Sequence, residues 1–126
     1  MRAERFLERV AAPGLSPVWY RFRGTTGSFR HAMFTRLGGA SRGAFAALNL
    51  GGSVGDEPAA VAENHLRVFH ALGIESARVV SPYQVHGCDV ARVDSSHGGQ
   101  VMPETDGLIT DEPGLDAVLG WRPGPY

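Results

Sequence analysis

The sequence predicts one α+β domain, and three observations support that prediction. Short runs rich in β-branched and aromatic residues recur along the chain, separated by glycine, proline and serine, as in strands joined by turns. One longer segment has the start signal, stop signal and apolar stripe of a helix. The length of 126 residues suits a single domain or part of one.

The first part of the chain is expected to hold two strands. Residues 1–17 are charged and mixed in character and are interpreted as a leader or cap. Strands are predicted at 18–22 and 29–35, with a glycine-containing turn at 24–28 between them. The second strand would deliver Arg36 to a loop at its end.

A helix is predicted over residues 56–72. Asp56 is the expected N-cap, and Gly73 is the expected stop signal. His65 falls within the apolar stripe and is expected to be a core histidine, while Glu63 and Arg67 form an i,i+4 pair on a solvated face. The predicted stripe consists of Val61, Ala62, Leu66, Val68, Phe69 and Leu72.

The remainder of the chain is predicted to alternate short strands with loops. Residues 94–105 are rich in serine, glycine and histidine and are expected to form a loop. Strands are predicted at 78–81, 89–93, 108–110 and 117–119. His86 would therefore lie at a strand end or in the bend that follows.

Composition excludes several classes of partner. A formal net charge of −1, without a block of lysine and arginine, argues against nucleic-acid binding and against a charged membrane surface. The single cysteine, Cys88, excludes an intramolecular disulfide and fits a reducing compartment. No signal peptide or long apolar stretch is evident, so a cytoplasmic protein with a small-molecule partner is expected.

Glycine-rich runs at 35–41 and 47–52 indicate a binding site. Glycine lets backbone segments approach each other or a ligand closely. Arg36 offers a planar cation for a phosphate or carboxylate, or is a solvated strand-end residue. Asn49 offers an amide suited to a base or ribose, or is a left-handed turn residue.

His86 and Cys88 are the candidate metal ligands. A ligating histidine usually donates its second ring N–H to a neighbour, and Gln84 and Asp89 are near in sequence. The alternative is an ordinary half-exposed histidine. Cys88 is either a replacement ligand or a free thiol, and the free thiol is favoured because residues i and i+2 of a strand do not converge well on one ion.

The order of these segments resembles the laccase-domain family, which includes proteins called multicopper polyphenol oxidase, purine nucleoside phosphorylase and peptidoglycan editing factor. Any one matching segment is weak evidence of family membership, but five segments in the family's order make the resemblance specific. The resemblance covers about residues 29–115 and rests on 35–41, 48–51, 55–64, 84–87 and 106–110.

The resemblance implies a mixed sheet with flanking helices, a laccase-domain fold of cysteine-hydrolase-like type, of which residues 1–126 would be the N-terminal part. It also implies a zinc-dependent purine nucleoside phosphorylase or adenosine deaminase, acting on a purine nucleoside with phosphate or water. At the matching positions the resemblance implies that His86 is catalytic and ligates zinc and that Arg36 binds an anion. It implies that Asn49 and Gln84 orient the nucleoside. Arg36, Asn49 and His86 should then lie within about 15 Å of one another.

The family's other two zinc ligands are missing from this sequence. Arg122, Pro123 and Gly124 stand where the resemblance places the cysteine, and no second histidine follows. A catalytic zinc normally has three protein ligands, so this chain alone is not expected to hold zinc tightly, and copper implied by the family name is less suited still. The alternative function is a catalytically inactive, truncated or divergent half-domain that binds without catalysis.

Overall fold

The computed structural model describes residues 6–11, 16–24 and 29–120. In this part of the chain eight strands and one α-helix form a mixed α/β structure, as predicted. Residues 121–126, including the position expected for the family cysteine, lie outside the described residues, as do 25–28 of the predicted turn.

An antiparallel sheet opens the structure. Strand β1 (Leu7–Ala11) pairs with β2 (Val18–Phe22), and β2 pairs with β3 (Met33–Phe34). The prediction of β2 is confirmed. The leader interpretation is wrong for 7–11, whose backbone pairs along the whole of β2, and the strand predicted at 29–35 is reduced to two residues.

Helix α1 (Pro58–Leu72) ends as predicted but begins later. Gly73 adopts the left-handed conformation with φ 66°, and the Ile74 N–H donates to the Phe69 carbonyl at 2.8 Å, which closes the last turn. Glu57, not Asp56, occupies the N-cap position. Asp56 instead directs its carboxylate into side-chain contacts outside the helix.

The buried face of α1 matches most of the predicted stripe and differs from it at two positions. Leu66 is 62% exposed, whereas Asn64 is 0% exposed and His65 3%. His65 is a core histidine as expected, with its Nε2 3.0 Å from the Leu50 carbonyl oxygen. The predicted stripe is confirmed at Val61, Val68 and Phe69 and is wrong at Leu66, because a helical wheel does not show which apolar residue the core covers.

Parallel strands follow the helix. Strand β4 (Val79–Pro82) is buried throughout and lies between β6 (Gln100–Met102) and β8 (Asp116–Ala117), while β5 (Val90–Arg92) pairs with β7 (Gly107–Ile109). The strand β6 lies inside the segment predicted as a loop. That segment was misread because its three strand residues follow a short 3-10 turn and two glycines.

The core lies where α1 meets β4. It consists of Leu48, Val68, Phe69 and Val79, with Phe34, Leu50, Leu72, Ile74 and Val118 packed against it. In the described ranges no helix combines the length and apolar character needed to cross a membrane.

Candidate functional site

The two glycine-rich runs are fastened to each other by backbone contacts. The Arg36 carbonyl accepts from the Ala47 and Leu48 amides at 3.2 and 2.7 Å. A Cβ on Gly39 would lie 2.1 Å from the Ala47 carbonyl oxygen, so only glycine fits at this approach. The predicted close approach of the two runs is therefore present.

A buried amide on α1 holds the same two runs from beneath. Asn64 Nδ2 donates to Ser41 Oγ at 2.8 Å and to the Asn49 carbonyl at 2.8 Å, with the Ala47 carbonyl at 3.3 Å. Its Oδ1 accepts from the Ala40 amide at 2.6 Å. Because one amide both donates and accepts, it satisfies polar groups of both runs inside the core.

Asp56 extends this arrangement toward solvent. Its Oδ2 accepts from Ser41 Oγ at 2.5 Å and from Asn49 Nδ2 at 3.2 Å, and its Oδ1 accepts from the Glu57 amide. The hydrogen bond from the Ser41 hydroxyl is the largest influence on the pKa of Asp56 and lowers it. Desolvation opposes this effect, and Asn49 and the Glu57 amide lower the pKa further. We call Ser41, Asn49, Asp56 and Asn64 the helix-backed network.

Asn49 is oriented by this network. Its Oδ1 accepts from the Gly51 amide at 3.1 Å while one N–H points to Asp56. The residues with positive φ outside glycine in the described ranges are His86 and Glu104, so Asn49 is not in the left-handed conformation that its alternative interpretation required.

The second predicted site segment, 84–87, is held by Asp106. The carboxylate accepts from the Val85 amide at 3.0 Å and the Gly87 amide at 2.9 Å. Gln84 Nε2 donates to the Asp106 carbonyl at 3.3 Å. We call Asp106 with residues 84–87 the bend clamp.

His86 lies in the bend between β4 and β5, as predicted, and is exposed with φ 59°. Cys88 is an exposed free thiol. Over residues 6–11, 16–24 and 29–120 no three His, Cys, Asp or Glu side chains are grouped so as to hold a metal ion. The described residues therefore do not fit a zinc or copper site on their own.

Arg36 and Asn49 belong to one set of contacts and Gln84 and His86 to another. Arg36 is exposed, and its backbone carbonyl accepts from the amides of residues 47 and 48. The convergence of Arg36, Asn49 and His86 on one pocket stays a prediction.

Two cavities of about 590 and 740 Å³ lie elsewhere on the molecule. The first is an apolar groove over the core beside β8, and the second lies among charged residues of the 110–116 segment. Neither is lined by Arg36, Asn49, Gln84 or His86.

Asn64 and Asp106 are the residues that sequence reasoning missed. Asn64 interrupts the apolar stripe at a buried position, and such a residue signals an internal hydrogen-bond partner. Asp106 stands in one of the motifs that carried the family resemblance, but its link to the 84–87 bend depends on the pairing of β5 with β7.

Relatives of known name cover most of this chain. A purine nucleoside phosphorylase of Streptomyces griseus is 44% identical over 99 residues, which are 78% of this chain and 40% of that protein. A purine nucleoside phosphorylase of Streptomyces coelicolor is 48% identical over 86 residues, which are 68% of this chain and 36% of that protein. The chain thus spans about two fifths of the length of these relatives.

A solved structure agrees with the fold. YlmD from Geobacillus stearothermophilus superposes with a TM-score of 0.66 at 33% identity, covering 94% of this chain and 43% of YlmD. The family model described as multi-copper polyphenol oxidoreductase laccase matches residues 30–120. The match covers both the helix-backed network and the bend clamp, and this chain therefore belongs to the laccase-domain family.

Proposed function

We propose that this chain is the nucleoside-binding part of an enzyme of the purine nucleoside phosphorylase type. The observation that carries the proposal is that Asn64 joins two polar, glycine-rich runs, to which Arg36 and Asn49 belong. The names of the relatives supply the substrate class, purine nucleoside and phosphate.

Each residue has a distinct role in this proposal. The guanidinium of Arg36 binds phosphate, since its planar fork matches two anionic oxygens. Asn49 uses the N–H that is not directed to Asp56 to bind the ribose or base, and Gln84 and His86 contact the nucleoside from the bend clamp. In phosphorolysis, phosphate replaces the base at the ribose carbon, and in the related deamination water replaces the 6-amino group.

The metal ligands are not complete in the described residues, so no step is assigned to a metal. The proposal places residues 1–126 within one laccase-domain unit and places the protein in the cytoplasm, which the single exposed thiol supports.

Binding is tested with the chain itself. Isothermal titration with phosphate and with inosine or adenosine should show that Arg36→Ala weakens phosphate binding by about tenfold, as expected for losing a charge-assisted contact worth about 1.4 kcal/mol. Arg42→Ala, which removes a neighbouring exposed arginine, is the matched control and should leave phosphate affinity within twofold. Equal losses in both variants would contradict the assigned phosphate site.

A second candidate function is binding without catalysis. The observation that favours it is that no three ligating side chains are grouped in the described ranges. The purified chain should carry well under one zinc ion per molecule by elemental analysis, and should bind nucleoside without releasing free base or ammonia. Stoichiometric zinc that His86→Ala abolishes would show instead that a metal site is complete.

A further inference from the structure

His86 has a backbone conformation that needs support. At φ 59° its Cβ is crowded by the backbone, and a non-glycine residue here is uncommon. Such a conformation persists only when the surrounding contacts determine it. One side chain binds the residues on both sides of His86.

That side chain is Asp106, which binds the amides on both sides of His86. Its Oδ1 accepts from Val85 and its Oδ2 from Gly87, at 3.0 and 2.9 Å. A carboxylate offers two acceptor oxygens and so can take both amides at once. The two bonds leave the His86 amide between them, and His86 itself is exposed.

Asp106 is itself held by the sheet. Its amide and that of Gly107 donate to the Asp89 carbonyl at 3.0 and 3.2 Å, and Gly107 begins β7, which pairs with β5. Its carbonyl oxygen accepts a hydrogen bond from Gln84 Nε2. The position of the bend is therefore tied to the register of two strands.

The glycine after His86 permits this geometry. A Cβ on Gly87 would lie 3.0 Å from Asp106 Oδ2, closer than side-chain carbons ordinarily approach. The absence of a side chain at Gly87 lets the carboxylate reach the amide.

We propose that Asp106 is the positioning residue of the candidate site: its carboxylate holds His86 in its left-handed conformation through the amides on either side of it. The role in ligand binding rests on the proposed function, which takes His86 and Gln84 as nucleoside contacts. The role in fixing the bend does not depend on it.

The decisive variant is Asp106→Asn. The amide keeps the size of the side chain but retains one acceptor oxygen, so Val85 or Gly87 loses its bond. The matched control is Asp111→Asn, which alters an exposed carboxylate whose partner is Arg92. Amide hydrogen exchange by NMR should accelerate at least tenfold at Val85 or Gly87 in Asp106→Asn, with protection of α1 unchanged, and in Asp111→Asn neither amide should change.

Ligand affinities separate positioning from a general structural effect. Asp106→Asn should weaken nucleoside binding about tenfold and leave phosphate binding within twofold, because Arg36 lies in the other set of contacts. Loss of both affinities together, or unchanged nucleoside affinity, would overturn the positioning role in binding. Unchanged exchange at both Val85 and Gly87 would overturn the inference entirely.

The same experiment distinguishes this inference from the proposed function. If the unaltered chain binds no nucleoside, the proposed function fails, and the exchange rates still decide whether Asp106 fixes the bend. If Asp106→Asn does not fold, Gly87→Ala provides the test, since its methyl group displaces the carboxylate without removing it. Accelerated exchange at Val85 or Gly87 in this variant is expected, and normal exchange at both would overturn the proposal.

Discussion

The helix-backed network and the bend clamp hold two polar loops by different means. Asn64 is fully buried and both donates and accepts, whereas Asp106 is half-buried and its carboxylate accepts from two exposed amides. A buried amide that satisfies several groups contributes to global stability, because its loss leaves those groups without partners in the core. A carboxylate at the surface determines local geometry, because water can replace its bonds when it is lost.

The largest effect should come from the core beneath the helix-backed network. Phe69→Ala is expected to reduce the free energy of unfolding by about 3–5 kcal/mol, since it empties a buried site, and Leu66→Ala by about 0.5 kcal/mol, since that side chain is 62% exposed. Urea denaturation of both variants measures the difference. Equal losses would show that α1 presents a different face to β4.

Removal of the buried amide should rank next. Asn64→Ala is expected to cost about 2–4 kcal/mol, because it leaves the Ala40 amide and the Asn49 carbonyl without this partner. Glu63→Ala, which removes an exposed i,i+4 ion pair on the same helix, should cost about 0.5 kcal/mol. If Asp106→Asn destabilises the chain as much as Asn64→Ala, the contrast between the two regions is wrong.

Two glycines sharpen the comparison further. Gly39→Ala places a methyl group 2.1 Å from a backbone oxygen and should cost about 2–3 kcal/mol, because a backbone segment must move. Gly87→Ala meets a side-chain oxygen at 3.0 Å and should cost about 1 kcal/mol, because the carboxylate can rotate. Thermal unfolding of Gly39→Ala and Gly87→Ala compares the two losses of stability. A larger loss in Gly87→Ala would show that the contact at Gly87 is the more rigid of the two.

The smallest effect concerns pH. Burial lowers the pKa of His65, with a smaller opposing contribution from the Leu50 carbonyl, so the folded state favours the neutral ring. The unfolded chain takes up a proton first as pH falls below about 6.5, and stability present above that pH is lost as pH falls toward the lower folded-state pKa.

His65→Gln should reduce this slope between pH 7 and 5.5 in urea titrations, and His70→Gln, at an exposed position of the same helix, should retain it. A slope unaffected by His65→Gln would assign the pH dependence to other groups.

Patterns among neighbouring residues predicted most of the helix and strands, but they predicted fewer of the contacts in the candidate site. Gly73 and the core histidine were readable because a stop residue and a helical wheel depend on near neighbours. The exposure of Leu66 and the burial of Asn64 depend on what packs against α1, and wheel geometry alone does not contain that information. Strand β6 was missed for a related reason, since three residues form a strand here because β4 supplies the partner.

The site residues also divide into those that neighbouring residues predicted and those that depend on tertiary contacts. The glycines at 38–39 and 51–52 predicted a close approach of the two runs. Gly39 confirms it against Ala47, whereas Gly38 lies against Ser16 and Gly51 meets only its own loop. Asn49 was predicted as a binding residue or a left-handed turn residue, yet its orientation comes from Asp56, which the helix-start signal had assigned to capping. The pairing of Asp106 with 84–87 joins positions about 20 apart, 21 and 19 for the two amides, and requires knowledge of strand register.

Parallel pairing also sets the order in which the chain can fold. Neighbours in the antiparallel sheet β1–β2–β3 are consecutive along the chain, while β4 pairs with β6 and β8, and β5 with β7, across intervening segments. Non-local contacts of this kind form slowly, because chain entropy is lost before they stabilise anything. The Asp106 carboxylate reaches its two amides only when β5 and β7 are aligned, so the bend around His86 acquires its geometry no earlier than this non-local pairing.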